Sequence, residues 1–260
     1  MIWFYLKKNF CDAWDNLLSM VLYNLVALAL FFSAYFFAKG LLDFPLASIL
    51  TGALFLLLLI VYLFAVNKTM AKYADFKFVS FKETLLELPS VIKDALLFTA
   101  LIAALVFLGY VGIPFYLRLG GLMGIFLASV VFWLLLLAVL SLQWFMPIKS
   151  QLNDPFVKAV KKCFLIFFDN AGFSIFMMIY AVLLTVISIF TGTILPGFSG
   201  VILAYNNAFR LRLYKYDWLD EHKDIPLKQA RRQIPWAELL EEDNDTLGPR
   251  DLKSMIFPWK

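Results

Sequence analysis

Long apolar runs dominate the hydropathy pattern of the chain. Five of them contain no charged residue and are long enough to cross the roughly 30 Å hydrocarbon core of a bilayer as α-helices. They are Leu17–Ala38, Leu46–Val66, Ala95–Phe115, Gly121–Ile148 and Ala171–Phe190. The first run is longer than the apolar part of a signal peptide, so we expect it to be retained as a transmembrane helix. The pattern predicts an all-α, polytopic membrane helix bundle.

The positions of Lys and Arg predict the orientation of the bundle, since basic residues near span ends collect on the cytoplasmic side. The two short loops after the first and third runs hold one basic residue each, Lys39 and Arg118. The N-terminal segment and the other two connections are much richer in lysine, with Lys7, Lys8, Lys68, Lys72, Lys77, Lys82, Lys93, Lys149, Lys158, Lys161 and Lys162. We therefore expect a cytoplasmic N-terminus.

A sixth crossing is predicted at about residues 193–209, although this stretch is more polar than the others. Arg210, Arg212 and Lys215 follow it directly, and a crossing here returns them and the C-terminus to the cytoplasmic side. Pro196 then lies in the first turn of the helix, where its missing N–H is tolerated. Because the stretch is at the low end of the length needed to cross, a re-entrant hairpin remains the alternative.

Two basic segments between the runs show helical amphipathicity. In residues 80–92, Ser80 and Glu83 have the spacing of a capping box, and Pro89 is expected to bend or interrupt the helix. In residues 155–168, Asp154 is the expected N-cap and Pro155 the first helical residue. We predict that both are helices in the cytoplasmic membrane interface. The alternative is a pair of short linkers packed beneath the bundle.

The chain divides into a six-span membrane domain, residues 1–216, and a cytoplasmic C-terminal tail, residues 217–260. The tail is too short to bury a core of its own. It ends with the large apolar residues Ile256, Phe257 and Trp259, which we predict to dock on a partner protein. The alternative is that the tail packs under the bundle.

Small residues repeat at four-residue spacing around the start of the fourth run. Gly120, Gly124 and Ala128 would share one helix face, on which a neighbouring helix can approach closely. We expect this face to serve helix packing within the bundle, with a dimer seam as the alternative. The sequence does not determine the oligomeric state.

Composition supports the membrane class and offers little chemistry. The chain is 62% hydrophobic and 16% charged, and its mean hydropathy is +0.80. The apolar runs contain no ionisable residue, which weakens an ion-coupled transporter. One histidine, two separated cysteines and the absence of a phosphate-binding Gly-rich motif nominate no catalytic residue, cofactor or metal site. A net charge of +4 is ordinary here, so nucleic acid is not an expected partner.

Three segments together resemble the YesL-like family of small bacterial multi-span membrane proteins, a domain of unknown function. They are "FKFVSFKETLLELPSVIKDALL", "LQWFMPI" and "VKAVKKCFLIFFDNAGFSIF", and the resemblance covers roughly residues 9–214. It implies a location in the bacterial inner membrane and a role around carbohydrate uptake, with an ABC importer or another membrane protein as partner. It supplies no catalytic residue.

Two functional hypotheses follow. The first is a non-enzymatic accessory or scaffold protein whose partners are the lipid bilayer and another membrane protein. The second is a permease or transporter subunit for a small uncharged solute. A polar cavity lined by Asn24, Thr51, Asn206 and Asn207 would favour the permease, and a filled interior would favour the scaffold.

Overall fold

The computed structural model describes residues 1–231 and 233–250, and these contain helices and no strand. The helices are α1 (Ile2–Asp15), α2 (Leu17–Gly40), α3 (Pro45–Ala74), α4 (Phe81–Leu86), α5 (Leu88–Phe107), α6 (Ile113–Arg118), α7 (Gly121–Leu142), α8 (Phe145–Leu152), α9 (Phe156–Asp169), α10 (Ala171–Phe190), α11 (Gly197–Glu221), α12 (Leu227–Ala230), α13 (Trp236–Leu239) and α14 (Glu241–Leu247). A π-helical turn, Leu108–Gly112, joins α5 to α6. The all-α prediction is confirmed.

Five stretches of helix are long and apolar enough to cross a membrane. They are Leu17–Gly40, Pro45–Ala74, Leu88–Arg118, Gly121–Leu152 and Ala171–Phe190. Each contains one of the five predicted runs, and the last has the same bounds as its run. The predicted sixth crossing lies within α11, which is not among these five. Five apolar helical stretches are therefore compatible with a multi-pass membrane protein.

α2 and α3 form a long antiparallel hairpin. Near its turn the Phe37 ring stacks on Phe55, with 5.2 Å between the ring centroids. At the other end the Tyr62 hydroxyl donates to the Tyr23 carbonyl over 3.2 Å. Pro45 begins α3, where a missing N–H costs least. α3 extends eight residues beyond the apolar run that ends at Val66, so its last two turns carry polar and basic residues.

The fourth predicted span is divided into two helices. α7 ends at Leu142 and α8 begins at Phe145, so the run 121–148 is interrupted at residues 143 and 144. Pro147 explains the break, because it has no N–H to donate to the carbonyl of residue 143. The side chains at the break hold it in place. The Trp144 indole donates to the Ser174 hydroxyl over 2.9 Å, and the Gln143 amide donates to the Ser174 carbonyl over 3.1 Å.

The segment at residues 80–92 is not one helix. α4 ends at Leu86 and α5 begins at Leu88, so residues 88–92 belong to the long apolar helix and Pro89 lies in its first turn. The Ser80 hydroxyl accepts from the Glu83 amide over 3.4 Å and donates to the Glu83 carboxylate over 3.0 Å. Ser80 therefore caps α4 as predicted. The Glu83 carboxylate, however, bonds to the Ser80 hydroxyl rather than to the Ser80 backbone amide.

The second amphipathic segment folds as α9, within one residue of its predicted bounds. The prediction of Asp154 as the N-cap is wrong. Pro155 occupies the cap position without a side-chain bond, because the Asp154 carboxylate turns to Lys158 at 2.8 Å and Lys162 at 2.5 Å. One face of α9 packs on the bundle: Cys163 belongs to the main hydrophobic core, and Phe167 is buried as well.

α11 runs through the centre of the bundle beside α1, α2, α3, α8 and α10. Its contacts with α10 show that the two helices are antiparallel. The Gly197 amide donates to the Ser188 hydroxyl over 2.9 Å at one end of the pair. At the other end the Lys215 ammonium lies 2.6 Å from the Asp169 carboxylate. Because neighbouring helices surround α11, it tolerates polar residues that a lipid-facing helix would exclude.

The turn between α10 and α11, residues 191–196, packs against the side of α2. Asn24 is fully buried, and its amide donates to the carbonyls of Ile194 and Pro196, both over 2.9 Å. Its carbonyl oxygen accepts from the Ser199 amide over 2.9 Å. Gly197 has φ +61°, and a Cβ there would lie 2.3 Å from the Asn24 amide nitrogen. Only glycine allows this approach.

The described part of the tail packs against the bundle. Leu240 is buried in the main hydrophobic core together with residues of α1 and α11. The Lys7 ammonium donates to the Gly248 carbonyl over 3.2 Å, and Arg250 forms an ion pair with Asp15 at 2.7 Å. The tail up to residue 250 is therefore joined to α1 by polar contacts as well as by burial.

Candidate functional site

The residues predicted for helix packing do not share one environment. Gly124 and Ala128 are buried, and a Cβ at Gly124 would lie 2.6 Å from the Tyr116 carbonyl oxygen. Gly120 precedes α7 at φ +70°, with no atom within 4 Å of the position its Cβ would take. In the structure Gly124 therefore meets α6 of the same chain, while Gly120 serves the turn before α7.

The predicted docking residues Ile256, Phe257 and Trp259 lie outside the described residues. The partner-docking role of the tail end therefore stays a prediction.

Three of the four polar residues proposed to line a cavity are fully buried and bonded to other protein groups, although the side-chain oxygen of Asn207 has no hydrogen-bond partner. Asn206 donates to the Asn67 side chain over 2.8 Å, and Asn207 donates to the Asn9 side chain over 3.3 Å. Asn24 caps the turn of the α10–α11 hairpin. Thr51 is half-buried on the outer part of α3. The asparagines thus join α11 to α1, α2 and α3 instead of facing a common cavity.

A buried ionic cluster lies where α1, α11 and α14 meet, and we call it the α1 cluster. Lys8 and Asp12 are one helical turn apart, with 3.2 Å between Nζ and Oδ2, and both are buried. The Lys8 ammonium also lies 3.4 Å from the centre of the Phe76 ring. Asp243 of α14 accepts from the Tyr214 hydroxyl over 3.0 Å and from Arg210 over 3.4 Å. The cluster therefore ties the tail to the bundle.

Burial disfavours the charged forms of both Lys8 and Asp12. Desolvation raises the pKa of Asp12 above its ordinary value, although the Lys8 ammonium opposes the shift. Desolvation likewise lowers the pKa of Lys8, with Asp12 again opposing. Sequence analysis missed this pair, because a Lys and an Asp four residues apart usually mark a solvated helix face.

A basic cavity of about 570 Å³ lies between the end of α3, the start of α5, α8 and α11. Its charged lining comprises Lys68, Lys72, Lys77, Lys149, Arg210, Asp75 and Glu87. Ser150, Gln151 and Asn153 add polar groups. This cavity brings together basic residues that the sequence separates by up to 142 positions, from Lys68 to Arg210.

Two further concave sites have mainly apolar walls. A groove of about 740 Å³ between α9, α11 and α12 has charged residues, including Lys162, Asp169 and Arg231, among its lining. A smaller cavity of about 320 Å³ lies between α3, α5, α7 and α11, and its polar residues are Asn67, Gln143 and Tyr205.

The described residues contain no group of three or more His, Cys, Asp or Glu side chains that could hold a metal ion. Cys11 and Cys163 are buried on separate helices, α1 and α9. Burial raises the pKa of the Cys163 thiol to about 12, which keeps it protonated and unreactive at neutral pH.

No protein-family model, no curated protein and no solved structure matches this chain. The YesL-like resemblance consequently stays an expectation.

Proposed function

We propose that the chain is a non-enzymatic, multi-pass protein of the bacterial inner membrane that acts as an accessory or scaffold for another membrane system. The YesL-like resemblance makes carbohydrate uptake the system to test first. The observation that carries the proposal is the bonding of the buried asparagines on α2 and α11. Asn24, Asn206 and Asn207 bond to other protein groups, whereas a solute path needs polar side chains that face an open cavity.

The proposed orientation places both termini in the cytoplasm. It rests on the lysines of α1, of the end of α3 and of α8 and α9. It rests also on the antiparallel course of α10 and α11, which returns the chain to the side where α10 began. α9 then lies in the cytoplasmic interface. Val157, Leu165 and Phe168 are exposed apolar side chains there, next to the basic residues of the same helix.

We infer that α10 and α11 form a re-entrant hairpin rather than a full sixth crossing. The turn of this hairpin contacts Asn24, the eighth residue of α2, and sixteen residues separate Asn24 from the end of α2 at Gly40. At 1.5 Å per residue this is about 24 Å of helix. The α10–α11 turn therefore lies far from the α2–α3 turn, at a depth that corresponds to the bilayer interior.

Hydrogen bonding within the turn supports this depth. The backbone amides of residues 191–194 donate to carbonyls of α10 or of the turn itself. The Thr191 hydroxyl donates to the Leu195 carbonyl, and Asn24 satisfies the carbonyls of Ile194 and Pro196. Non-helical backbone is tolerated inside a membrane only when its polar groups have such partners. The flanking Phe190 is 86% exposed and suits contact with lipid chains.

Cysteine accessibility tests the hairpin. In a background with Cys11 and Cys163 replaced by alanine, Thr193→Cys is compared with Asp43→Cys, which lies in the α2–α3 turn. A re-entrant hairpin predicts that a membrane-impermeant maleimide added outside intact cells labels Asp43→Cys and not Thr193→Cys. Equal labelling of the two variants would establish the full crossing instead.

The accessory role is tested by crosslinking in the native membrane, followed by purification and mass spectrometry. The expected result is a stoichiometric membrane-protein partner, and a carbohydrate importer would support the proposed link to sugar uptake. Solute flux through the purified protein alone would contradict the proposal.

The second candidate function is a permease subunit for a small uncharged solute. The cavity of about 320 Å³ favours it, because Asn67, Gln143 and Tyr205 lie there against otherwise apolar walls. Osmotic swelling of proteoliposomes in small sugars and polyols distinguishes the two functions. The permease predicts faster swelling than in empty liposomes, and the scaffold predicts no difference.

A further inference from the structure

The basic cavity lies at the level where the apolar part of α3 ends. The apolar run stops at Val66, and Lys68 and Lys72 follow within the next two turns of the same helix. Lys149 and Arg210 come from α8 and α11 on the other sides of the cavity. Three separate helices thus direct cations to one place, next to the expected boundary between hydrocarbon and headgroups.

Positive charge is in excess within the lining. Glu87 is shared between Lys68 at 2.9 Å and Lys72 at 3.5 Å. Asp75 is likewise shared between Lys77 at 2.5 Å and Arg210. Each carboxylate therefore faces two cations, and the lining has five basic side chains against two acidic ones.

Acidic residues behind the lining reduce this excess without removing it. Lys149 pairs with Asp94 at 2.9 Å, and Arg210 also reaches Asp243 at 3.4 Å. The Arg210 Nε remains buried without a hydrogen-bond partner. An anion that entered the cavity would add the missing negative charge, and lysine and arginine are the side chains that bind phosphate groups.

We propose that the basic cavity binds a phosphate-bearing anion, supplied either as the headgroup of an anionic lipid or as a soluble phosphate compound. Its volume of about 570 Å³ leaves room for more than one phosphate group. Basic pockets between helices on the cytoplasmic side are suited to lipid headgroups. The lipid source rests on the orientation given under the proposed function, whereas binding of phosphate does not.

The test uses the full-length protein and a pair of matched double variants. Lys72→Gln/Lys77→Gln removes two cations from the cavity, and the lysines are 42% and 71% exposed, so their loss should spare the fold. Lys82→Gln/Lys161→Gln makes the same change of charge at exposed positions outside the lining. Glu87→Gln removes a competing carboxylate and is expected to increase binding, a result that misfolding cannot produce.

Two probes distinguish the sources. Native mass spectrometry measures retention of phosphatidylglycerol against phosphatidylcholine, and titration calorimetry in detergent measures binding of inorganic phosphate at constant ionic strength. Binding of the favoured probe should fall about tenfold in Lys72→Gln/Lys77→Gln, rise in Glu87→Gln and stay unchanged in the control. Preferential retention of phosphatidylglycerol identifies the lipid source, and phosphate binding alone identifies the soluble source.

The proposal is overturned if neither probe binds, or if the cavity variant and the control lose binding equally. Phosphate binding in detergent does not depend on orientation. A wrong topology would therefore appear in the cysteine labelling while the phosphate result remained intact.

Discussion

Replacing Asn24 with leucine removes the side chain that caps the α10–α11 turn while keeping its approximate size. The Ile194 carbonyl loses its donor and the Ser199 amide loses its acceptor, whereas the Pro196 carbonyl keeps the Gly200 amide as a donor at 3.0 Å. Each buried backbone group left without a partner costs about 1–3 kcal/mol. The two unpartnered groups together predict a loss of roughly 2–6 kcal/mol in the free energy of unfolding.

Thermal unfolding in detergent, followed by tryptophan fluorescence, measures this loss. For a chain of this size, 1 kcal/mol corresponds to about 2–4 °C, so the midpoint should fall by roughly 10 °C. Asn244→Leu is the matched control, because Asn244 is exposed on α14 and should change the midpoint little.

Coupling to Gly197 provides a stricter test. Gly197→Ala should also destabilise, since its φ is +61° and its Cβ would meet the Asn24 amide. If the two residues form one unit, Asn24→Ala and Gly197→Ala together should cost less than the sum of the single changes. Strict additivity, or an unchanged midpoint in Asn24→Leu, would refute the capping role.

Three other substitutions test separate parts of the structure. Gly124→Leu should lower the unfolding midpoint, because even its Cβ would lie 2.6 Å from the Tyr116 carbonyl oxygen; overpacking of this kind costs about 1–3 kcal/mol. Asp243→Asn should loosen the tail, detected as faster limited proteolysis after residue 217, since the α1 cluster loses a buried negative charge. Glu87→Gln should lose less stability than the wild type when the pH is lowered. The measurement is the difference between the unfolding midpoints of wild type and variant, taken at neutral and at acidic pH.

The sign of the acid effect follows from the pKa of Glu87. The hydrogen bond from Lys68 lowers this pKa below its ordinary value of 4.5. The stabilising contribution is therefore present above pH 4.5 and is lost as the pH falls through the lowered value. A midpoint difference that grew toward acidic pH would contradict this reasoning.

Controls separate specific effects from general ones. Gly172→Leu places leucine at a helical glycine with no atom within 4 Å of its Cβ position, so it should be tolerated better than Gly124→Leu. Asp245→Asn neutralises an exposed aspartate on α14 and should leave proteolysis of the tail unchanged. Equal effects in either pair would show that burial does not decide the outcome.

The helical segments and their approximate bounds were predictable, because both depend on local sequence. An apolar run such as Ala171–Phe190 has no charge to keep it in water, and helix formation satisfies its own backbone. The structure gives α10 the same bounds. Local sequence also misled where an ion pair competed with helix capping. Asp154 has the position of an N-cap, but lysines one and two turns later take its carboxylate.

Candidate sites were less predictable, since they depend on residues brought together from distant parts of the chain. The basic cavity joins lysines of α3 to Arg210 of α11, and the α1 cluster joins Lys8 to Asp243 of α14. Neither grouping has a spacing that identifies it in the sequence. The small-residue pattern gave Gly120 and Gly124 the same role, yet the turn at Gly120 places only Gly124 against α6.

The sequence by itself determined that this is a helical protein with five long apolar stretches, because the free energy of transferring apolar residues into lipid depends on composition and length. Only the tertiary structure decided the position of α11. Its polar residues are buried by neighbouring helices and bonded to Asn9, Asn24 and Asn67, partners more than a hundred residues away. Hydropathy shows whether a segment is apolar enough to face lipid, so it cannot identify a polar helix that other helices shield from lipid.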